Sequence, residues 1–204
     1  MKLLPSPLLV ITDRHQARHP IEAIAEGIGQ AGGRWLLLRD KDLEPAERRG
    51  VAARLSVIAR RHGMHLSVGR DVDLAAEFGA SVHLQSAAAV GAARQRLGPG
   101  AIIGVSAHGP ADVEAAAAAD ADYATLSPIF LTSSKPGYGP ALGVAAIQEA
   151  AKVGIAIVAL GGVTADAARP CLDAGAAGVA VMGDVMRSGD PGGSVSGLLK
   201  ALLS

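Results

Sequence analysis

The chain has 204 residues, of which 50% are hydrophobic, and this is enough to bury the core of one domain. Its 19 basic and 19 acidic side chains give a formal charge of zero, whereas a protein that binds nucleic acid normally carries a basic excess. The chain has no run of 18 apolar residues and only one cysteine, Cys171. We therefore expect no membrane span, no disulfide framework and no cysteine-based zinc site, and we expect the reducing cytoplasm as its compartment.

Eight short apolar runs recur along the chain, and each is followed by a stretch with helical periodicity. Continuous Val, Ile and Leu runs flanked by glycine are typical of parallel strands that are buried on both faces. The predicted strands are 8–12, 35–39, 65–69, 81–84, 102–106, 123–126, 155–160 and 178–182. The predicted helices are 20–31, 44–61, 72–78, 88–97, 110–119, 143–152, 165–174 and 191–203.

Eight successive β-α units predict an α/β fold, a compact (β/α)8 TIM barrel that forms a single domain over residues 1–204. A doubly wound sheet is the alternative, and it would normally place a Gly-x-Gly-x-x-Gly turn after the first strand. Ile11 is followed by Thr12, Asp13 and Arg14 instead, which argues against a dinucleotide-binding fold. In a barrel, catalytic groups lie where the strands give way to the loops that precede the helices.

Three strand ends carry residues suited to anions. Gly162 follows the seventh strand and Gly183 follows the eighth, where exposed amides commonly hold a phosphate that glycine allows to come close. A pair of tight turns is the alternative. Alternation directs Arg39 and Lys41 to one side of the second strand's end and Asp40 to the other. Two cations there suit a phosphate or a carboxylate, and a solvated charged loop is the alternative.

Two further strand ends suit proton transfer or anion binding. Ser106 and His108 share a face if the fifth strand continues, and histidine exchanges protons near neutral pH. A loop histidine bonded to solvent or backbone is the alternative.

The long loop 127–140 contains prolines and glycines, which is typical of an ordered lid or binding loop. Hydroxyls beside Lys135 offer donors to an anion, and a loop without function is the alternative.

Nine sequence pieces follow one another in chain order: LVITD (9–13), LRDK (38–41), VDLA (72–75), GASVHL (79–84), IGVSAH (103–108), ADY (121–123), SPIFLTSSK (127–135), ALGGV (159–163) and AGAAGVA (174–180). Together they resemble the thiamine phosphate synthase/TenI superfamily over nearly the whole chain. Its synthase branch joins an aminopyrimidine pyrophosphate to a thiazole phosphate and releases pyrophosphate held on Mg²⁺. The resemblance implies two sets of binding residues: Arg39, Lys41, Thr132, Ser134 and Lys135 for the pyrophosphate, and Gly162 and Gly183 for the thiazole phosphate.

The metal-binding positions of the synthase pattern are filled differently in this chain. Gly69 and Arg70 stand where the pattern has an asparagine and the first Mg²⁺-binding aspartate, and Ala88 replaces the second aspartate. Mg²⁺ is usually held by one or two carboxylates together with phosphate oxygens. Loss of a carboxylate or gain of a cation a few ångströms from the metal changes the interaction energy by roughly 4 kcal/mol at a moderate effective dielectric. A rebuilt site that recruits Asp71 is the alternative.

These departures resemble the TenI branch, whose members isomerise a thiazole carboxylate phosphate to its aromatic tautomer. That chemistry requires an acid and a base rather than a metal. We therefore expect a metal-independent tautomerase without a cofactor, in which His108 moves the proton and Ser106 orients the substrate, a phosphorylated thiazole. A thiamine phosphate synthase with a rebuilt Mg²⁺ site and a non-catalytic regulator that binds thiazole phosphate are the alternatives. Related barrels often pair, so a homodimer is compatible with the sequence.

Overall fold

The computed structural model describes residues 2–132 and 140–203. The predicted strands are all present, and their ends differ from the predictions by at most one residue. The strands are β1 (Leu8–Ile11), β2 (Trp35–Leu38), β3 (His65–Gly69), β4 (Ser81–Leu84), β5 (Ile103–Ala107), β6 (Tyr123–Leu126), β7 (Ala156–Leu160) and β8 (Gly178–Val181).

The eight strands form a closed parallel barrel in which every strand pairs with its neighbour in sequence. The barrel closes because β1 also pairs with β8, with Leu8 opposite Val179 and Leu9 opposite Ala180. This arrangement confirms the predicted (β/α)8 barrel and rules out the doubly wound sheet, in which the strand order reverses and two edges stay open.

The helices between the strands also follow the prediction, with one addition. They are α1 (Ile21–Gln30), α2 (Pro45–Arg61), α3 (Val72–Glu77), α4 (Val90–Leu97), α5 (Pro110–Ala118), α6 (Gly143–Ala151), α7 (Ala165–Asp173), α8 (Gly183–Met186) and α9 (Pro191–Leu203). The sequence analysis missed α8, because four residues are too few to show helical periodicity. None of the helices in the described ranges is long and apolar enough to cross a membrane.

Alternation along the strands divides the apolar side chains between two layers. In β1, Leu8 and Val10 belong to the larger cluster between the barrel and its helices, whereas Leu9 and Ile11 belong to a smaller inner cluster. Trp35 lies in the inner cluster with its ring edge against a second aromatic ring, at a centroid distance of 5.0 Å. The barrel interior is thus filled, and the space for a ligand lies above it, at the carboxyl ends of the strands.

Candidate active site

The carboxyl ends of the strands surround a cavity of about 440 Å³. Seven of the predicted site residues line this cavity: Arg39, Lys41, Ser106, His108, Thr132, Gly162 and Gly183. The other two, Ser134 and Lys135, lie outside the described residues. The barrel therefore brings together, at one opening, side chains and glycines that are spread over nearly 150 positions of the sequence.

His108 follows β5 and is held at the cavity wall by two neighbouring segments. Its backbone N–H donates to Asp112 Oδ2 at 2.7 Å, and its ring Nδ1 lies 3.0 Å from the carbonyl oxygen of Ser127. Because a carbonyl oxygen only accepts, Nδ1 carries the proton in this contact, and Nε2 is the basic atom of the neutral ring. This tautomer suits a general base that takes a proton at Nε2.

His83, on β4, forms a polar network at the floor of the cavity that the sequence analysis did not identify. Its Nδ1 lies 3.0 Å from the hydroxyl oxygen of Tyr123. The imidazole also stacks on the aromatic ring of Tyr123. Its Nε2 lies 3.1 Å from Ser106 Oγ and 3.3 Å from Thr125 Oγ1. One imidazole thus connects hydroxyl groups from β5 and β6.

Burial keeps this histidine neutral. Removal from water lowers the pKa of His83 to about 4. A neutral imidazole offers one N–H and one lone pair, so both of its nitrogens can be satisfied by the hydroxyls around it. His83 therefore holds the hydroxyl of Ser106 through this contact without adding a positive charge at neutral pH.

A sequence signal for this network exists in the alternation of three successive strands. Polar residues recur at every second position as Ser81 and His83 in β4, and as Tyr123 and Thr125 in β6. Ser106 in β5 pairs in register with Thr125. In a barrel buried on both faces, such a polar set points to a shared inner layer rather than to solvent.

The loop after β1 fixes the end of β2. Asp40 is 4% exposed, and its two oxygens accept from Thr12 Oγ1 at 2.5 Å and from the backbone N–H of Arg14 at 2.7 Å. The backbone N–H of Arg39 in turn donates to Thr12 Oγ1 at 3.0 Å. Asp40 therefore turns away from the cavity that Arg39 and Lys41 line, which is the division that alternation along the strand predicts.

The glycine after β7 allows two loops to approach closely. Gly162 has a φ of +66°, and a Cβ atom at this position would lie 2.4 Å from the carbonyl oxygen of Leu131 and 2.8 Å from Phe130 Cβ. The backbone N–H of Phe130 donates to the carbonyl oxygen of Gly161 at 2.9 Å. The segment after β6 thus lies directly on the predicted phosphate loop, and only glycine fits there.

The turn after β3 does not suit a divalent cation. Asp71, the carboxylate that could be recruited, caps α3 by accepting from the backbone N–H of Leu74 at 2.9 Å. Its other oxygen lies 3.3 Å from Arg48, a side chain that is 7% exposed and also donates to the carbonyl oxygen of Gly69 at 2.6 Å. A cation at this turn would have to displace a buried arginine from its partners.

The neighbouring Arg70 adds a second positive charge. It has a φ of +69°, which is unusual for a residue other than glycine, and its side chain lines the cavity. The charged side chains among the described lining residues are Arg39, Lys41, Arg70, Arg187 and Asp184. Four cations thus face one carboxylate, and this excess of positive charge favours a polyanionic ligand.

Comparison with known proteins identifies the family. A family model described as thiamine monophosphate synthase matches residues 8–185. A putative thiamine-phosphate synthase of Geobacter sulfurreducens is 37% identical over 199 residues, which cover 96% of this chain and 93% of the relative. The thiamine biosynthesis bifunctional protein ThiM/ThiE of Symbiobacterium thermophilum is 40% identical over 182 residues, and the match spans 86% of this chain but 37% of that relative's length. A solved structure of thiamine phosphate pyrophosphorylase from Pyrococcus furiosus superposes with a TM-score of 0.83 at 26% identity, over 96% of this chain and 95% of the other. The chain therefore belongs to the thiamine monophosphate synthase (TMP-TENI) family, and it is an enzyme of thiamine biosynthesis.

Proposed function

We propose that this chain is a metal-independent thiazole tautomerase, which converts a thiazole carboxylate phosphate to its aromatic tautomer. The observation that carries the proposal is the pair of arginines at the position of the family's metal site. Arg70 lines the cavity there, and the buried Arg48 holds the adjacent Asp71. Among the described residues, no group of carboxylates or histidines could hold a metal ion, and Asp71 is occupied by Arg48 and Leu74, so no step of the proposed reaction passes through a metal.

The proposed substrate matches the charge of the cavity. A phosphate monoester carries about two negative charges at neutral pH, and a carboxylate adds one. Four cations and Asp184 line the cavity in the described ranges, and Asp13 forms an ion pair with Arg39, so an excess of about two positive charges remains for the ligand. Lys41 and Arg70 make no side-chain ion pair with any described residue, so they are available to the carboxylate.

The proposed reaction moves one proton between two carbon atoms of the conjugated ring system. The backbone amides of Gly162 and Gly183 hold the phosphate, and the cations after β2 and β3 hold the carboxylate. His108 Nε2 takes the proton from the ring carbon that bears the carboxylate and returns it to the carbon that must gain it. Ser106, oriented by His83, donates a hydrogen bond that fixes the ring. The product gains aromatic conjugation, and no group leaves.

The test follows the ultraviolet absorbance of the thiazole carboxylate phosphate as its ring becomes aromatic. We expect the wild-type chain to accelerate the conversion equally with Mg²⁺ and with EDTA. His108→Ala should lower kcat by about 10²- to 10⁴-fold, which is the usual contribution of a general acid–base group. His19→Ala is the matched control, because His19 is exposed, bonds to the carbonyl oxygen of Gly189 and does not line the cavity.

The outcomes separate the alternatives. Equal rates for the wild-type chain and His108→Ala would remove His108 from the mechanism. Binding of thiazole phosphate without any turnover would replace the tautomerase with the non-catalytic regulator. Loss of the tautomerase rate on addition of EDTA would show that the reaction depends on a metal and would contradict the proposed mechanism.

Thiamine phosphate synthase is the second candidate. It is favoured by the names of the relatives and by the presence of Arg39, Lys41 and Thr132 in the lining of the same cavity, where such cations and hydroxyls suit a pyrophosphate. The same preparation should be given the aminopyrimidine pyrophosphate and the thiazole phosphate, with and without Mg²⁺. Release of pyrophosphate that depends on Mg²⁺ would establish this candidate in place of the tautomerase.

A further inference from the structure

The side chain of Arg187 covers the glycine at the start of α8. A Cβ atom at Gly183 would lie 2.2 Å from Arg187 Nη1 and 2.6 Å from its Cζ. The φ of Gly183 lies outside the left-handed region, so its backbone conformation does not require glycine. The absent side chain at this position instead leaves room for the guanidinium, which also lines the cavity.

Neighbouring loops tether this guanidinium. Arg187 donates to Gln16 Oε1, and Gln16 Nε2 donates to Asp13 Oδ2 at 2.8 Å. The same carboxylate oxygen accepts from Arg39 Nη1 at 3.2 Å. Asp13 is 8% exposed, so the chain of contacts is anchored at a side chain that is almost buried. It connects the loop after β8 to the ends of β1 and β2.

We propose that Arg187 is a phosphate-binding residue and that its guanidinium, held over Gly183 by Gln16, donates to the phosphate bound at the amides of Gly162 and Gly183. The choice of a thiazole phosphate as the ligand rests on the proposed function. The placement of the Arg187 guanidinium beside Gly183 is independent of that choice. A guanidinium presents N–H groups in a planar fork that matches two phosphate oxygens. The amides alone would recognise any anion, and Arg187 adds a preference for the doubly charged phosphate.

Gln16 and Asp13 act as positioning residues in this arrangement. A free arginine side chain loses about 2 kcal/mol of conformational freedom when it is immobilised. The contacts through Gln16 restrict the side chain before a ligand arrives, so less of this freedom is lost on binding. Asp13 also ties Arg39 to the same network, so the cations that follow β2 and β8, the two strands beside β1, are held in one arrangement.

The first test measures binding by calorimetry and needs no turnover. The probes are the thiazole phosphate and the corresponding thiazole alcohol without phosphate. Arg187→Ala should weaken binding of the phosphate about 10- to 100-fold, as expected for loss of a charge-assisted hydrogen bond, and leave binding of the alcohol unchanged. Arg187→Lys should retain part of the affinity. Arg18→Ala is the matched control, since Arg18 lies near Gly189, outside the cavity lining, and should bind like the wild type.

The second test is a double-mutant cycle with Gly183→Ala. The added methyl group would displace the guanidinium, and because the guanidinium is the far end of a flexible side chain, the fold should tolerate the change. Gly183→Ala should therefore weaken phosphate binding in the wild-type background and change it less than about threefold in the Arg187→Ala background. Urea unfolding of each variant checks that the fold is intact.

Two results would overturn the inference: equal affinity of Arg187→Ala and wild type for the thiazole phosphate, or an equal loss from Gly183→Ala in both backgrounds. A wild-type chain that binds the phosphate through Arg187 but does not convert the tautomer would reject the proposed function alone and would support this inference. A tautomerase whose affinity is indifferent to Arg187 would reject this inference alone.

Discussion

Replacement of Gly162 by alanine should damage the predicted phosphate loop through two separate costs. The first cost is conformational, because a φ of +66° places an L side chain in the left-handed region, at about 1–2 kcal/mol. The second cost is steric, because the new Cβ would lie 2.4 Å from the carbonyl oxygen of Leu131, a backbone atom that cannot rotate away. Relief of such a contact by backbone shifts costs about 1–3 kcal/mol. Together they predict a loss of about 2–5 kcal/mol in the free energy of unfolding.

Gly63→Ala separates the two costs. Gly63 has a φ of +61°, and a Cβ atom there would have no neighbour within 4 Å, so this variant carries the conformational cost alone. Urea unfolding of both variants should give a difference of about 1–3 kcal/mol between them. Calorimetry with thiazole phosphate should show wild-type affinity for Gly63→Ala and a loss of at least about tenfold for Gly162→Ala. Equal stability of the two variants, or wild-type affinity of Gly162→Ala, would refute the close approach of the two loops.

Three further changes test the floor and the rim of the cavity. Folding lowers the pKa of His83 from 6.5 to about 4. Above about pH 6.5 the imidazole is neutral in both the folded and the unfolded chain, so its titration costs no stability there. As the pH falls to 4, only the unfolded chain binds the proton, and the free energy of unfolding should fall by about 3 kcal/mol. Urea unfolding of the wild type and of His83→Gln over this pH range measures the loss, which should be absent from the variant. Tyr123→Phe removes the hydroxyl beside His83 Nδ1 and should cost about 1–3 kcal/mol in the same assay, whereas unchanged stability would show that this bond contributes nothing. Arg70→Gln should weaken binding of the thiazole carboxylate phosphate about tenfold. Binding of the thiazole phosphate that has no carboxylate should be unaffected. Equal effects on both probes would show that Arg70 does not bind the carboxylate.

The barrel could be predicted from the sequence because its signal is repeated in every unit. Each strand is a short run of apolar residues that the barrel buries on both faces, and each is followed by a segment with helical periodicity. Errors at single boundaries do not change the count of eight units. The seven predicted site residues in the described ranges converge on one cavity because all parallel strands of a barrel end at the same rim.

Contacts made by side chains across the rim could not be predicted in this way. Arg187 follows a four-residue helix that has no periodicity, and its place over Gly183 depends on Gln16, which lies 171 positions away in sequence. Nothing local in the sequence distinguishes this arginine from one that faces solvent. The role of His83 was hidden for a different reason. A single histidine at a strand end carries no signal until the polar alternation of the two following strands is considered with it.

The strand order of the barrel sets the orientation that the proposed substrate would take. The predicted phosphate loops follow β7 and β8, the cations Lys41 and Arg70 follow β2 and β3, and the two histidines lie on β4 and directly after β5. In a closed ring of eight strands, β4 lies opposite β8, so the groups proposed for proton transfer face the predicted phosphate loops across the opening. A ligand held only by its phosphate could still rotate away from His108. A second anionic group, bound at the cations between these two sides, would fix the ring against the base, and this requirement favours a substrate that carries both a phosphate and a carboxylate.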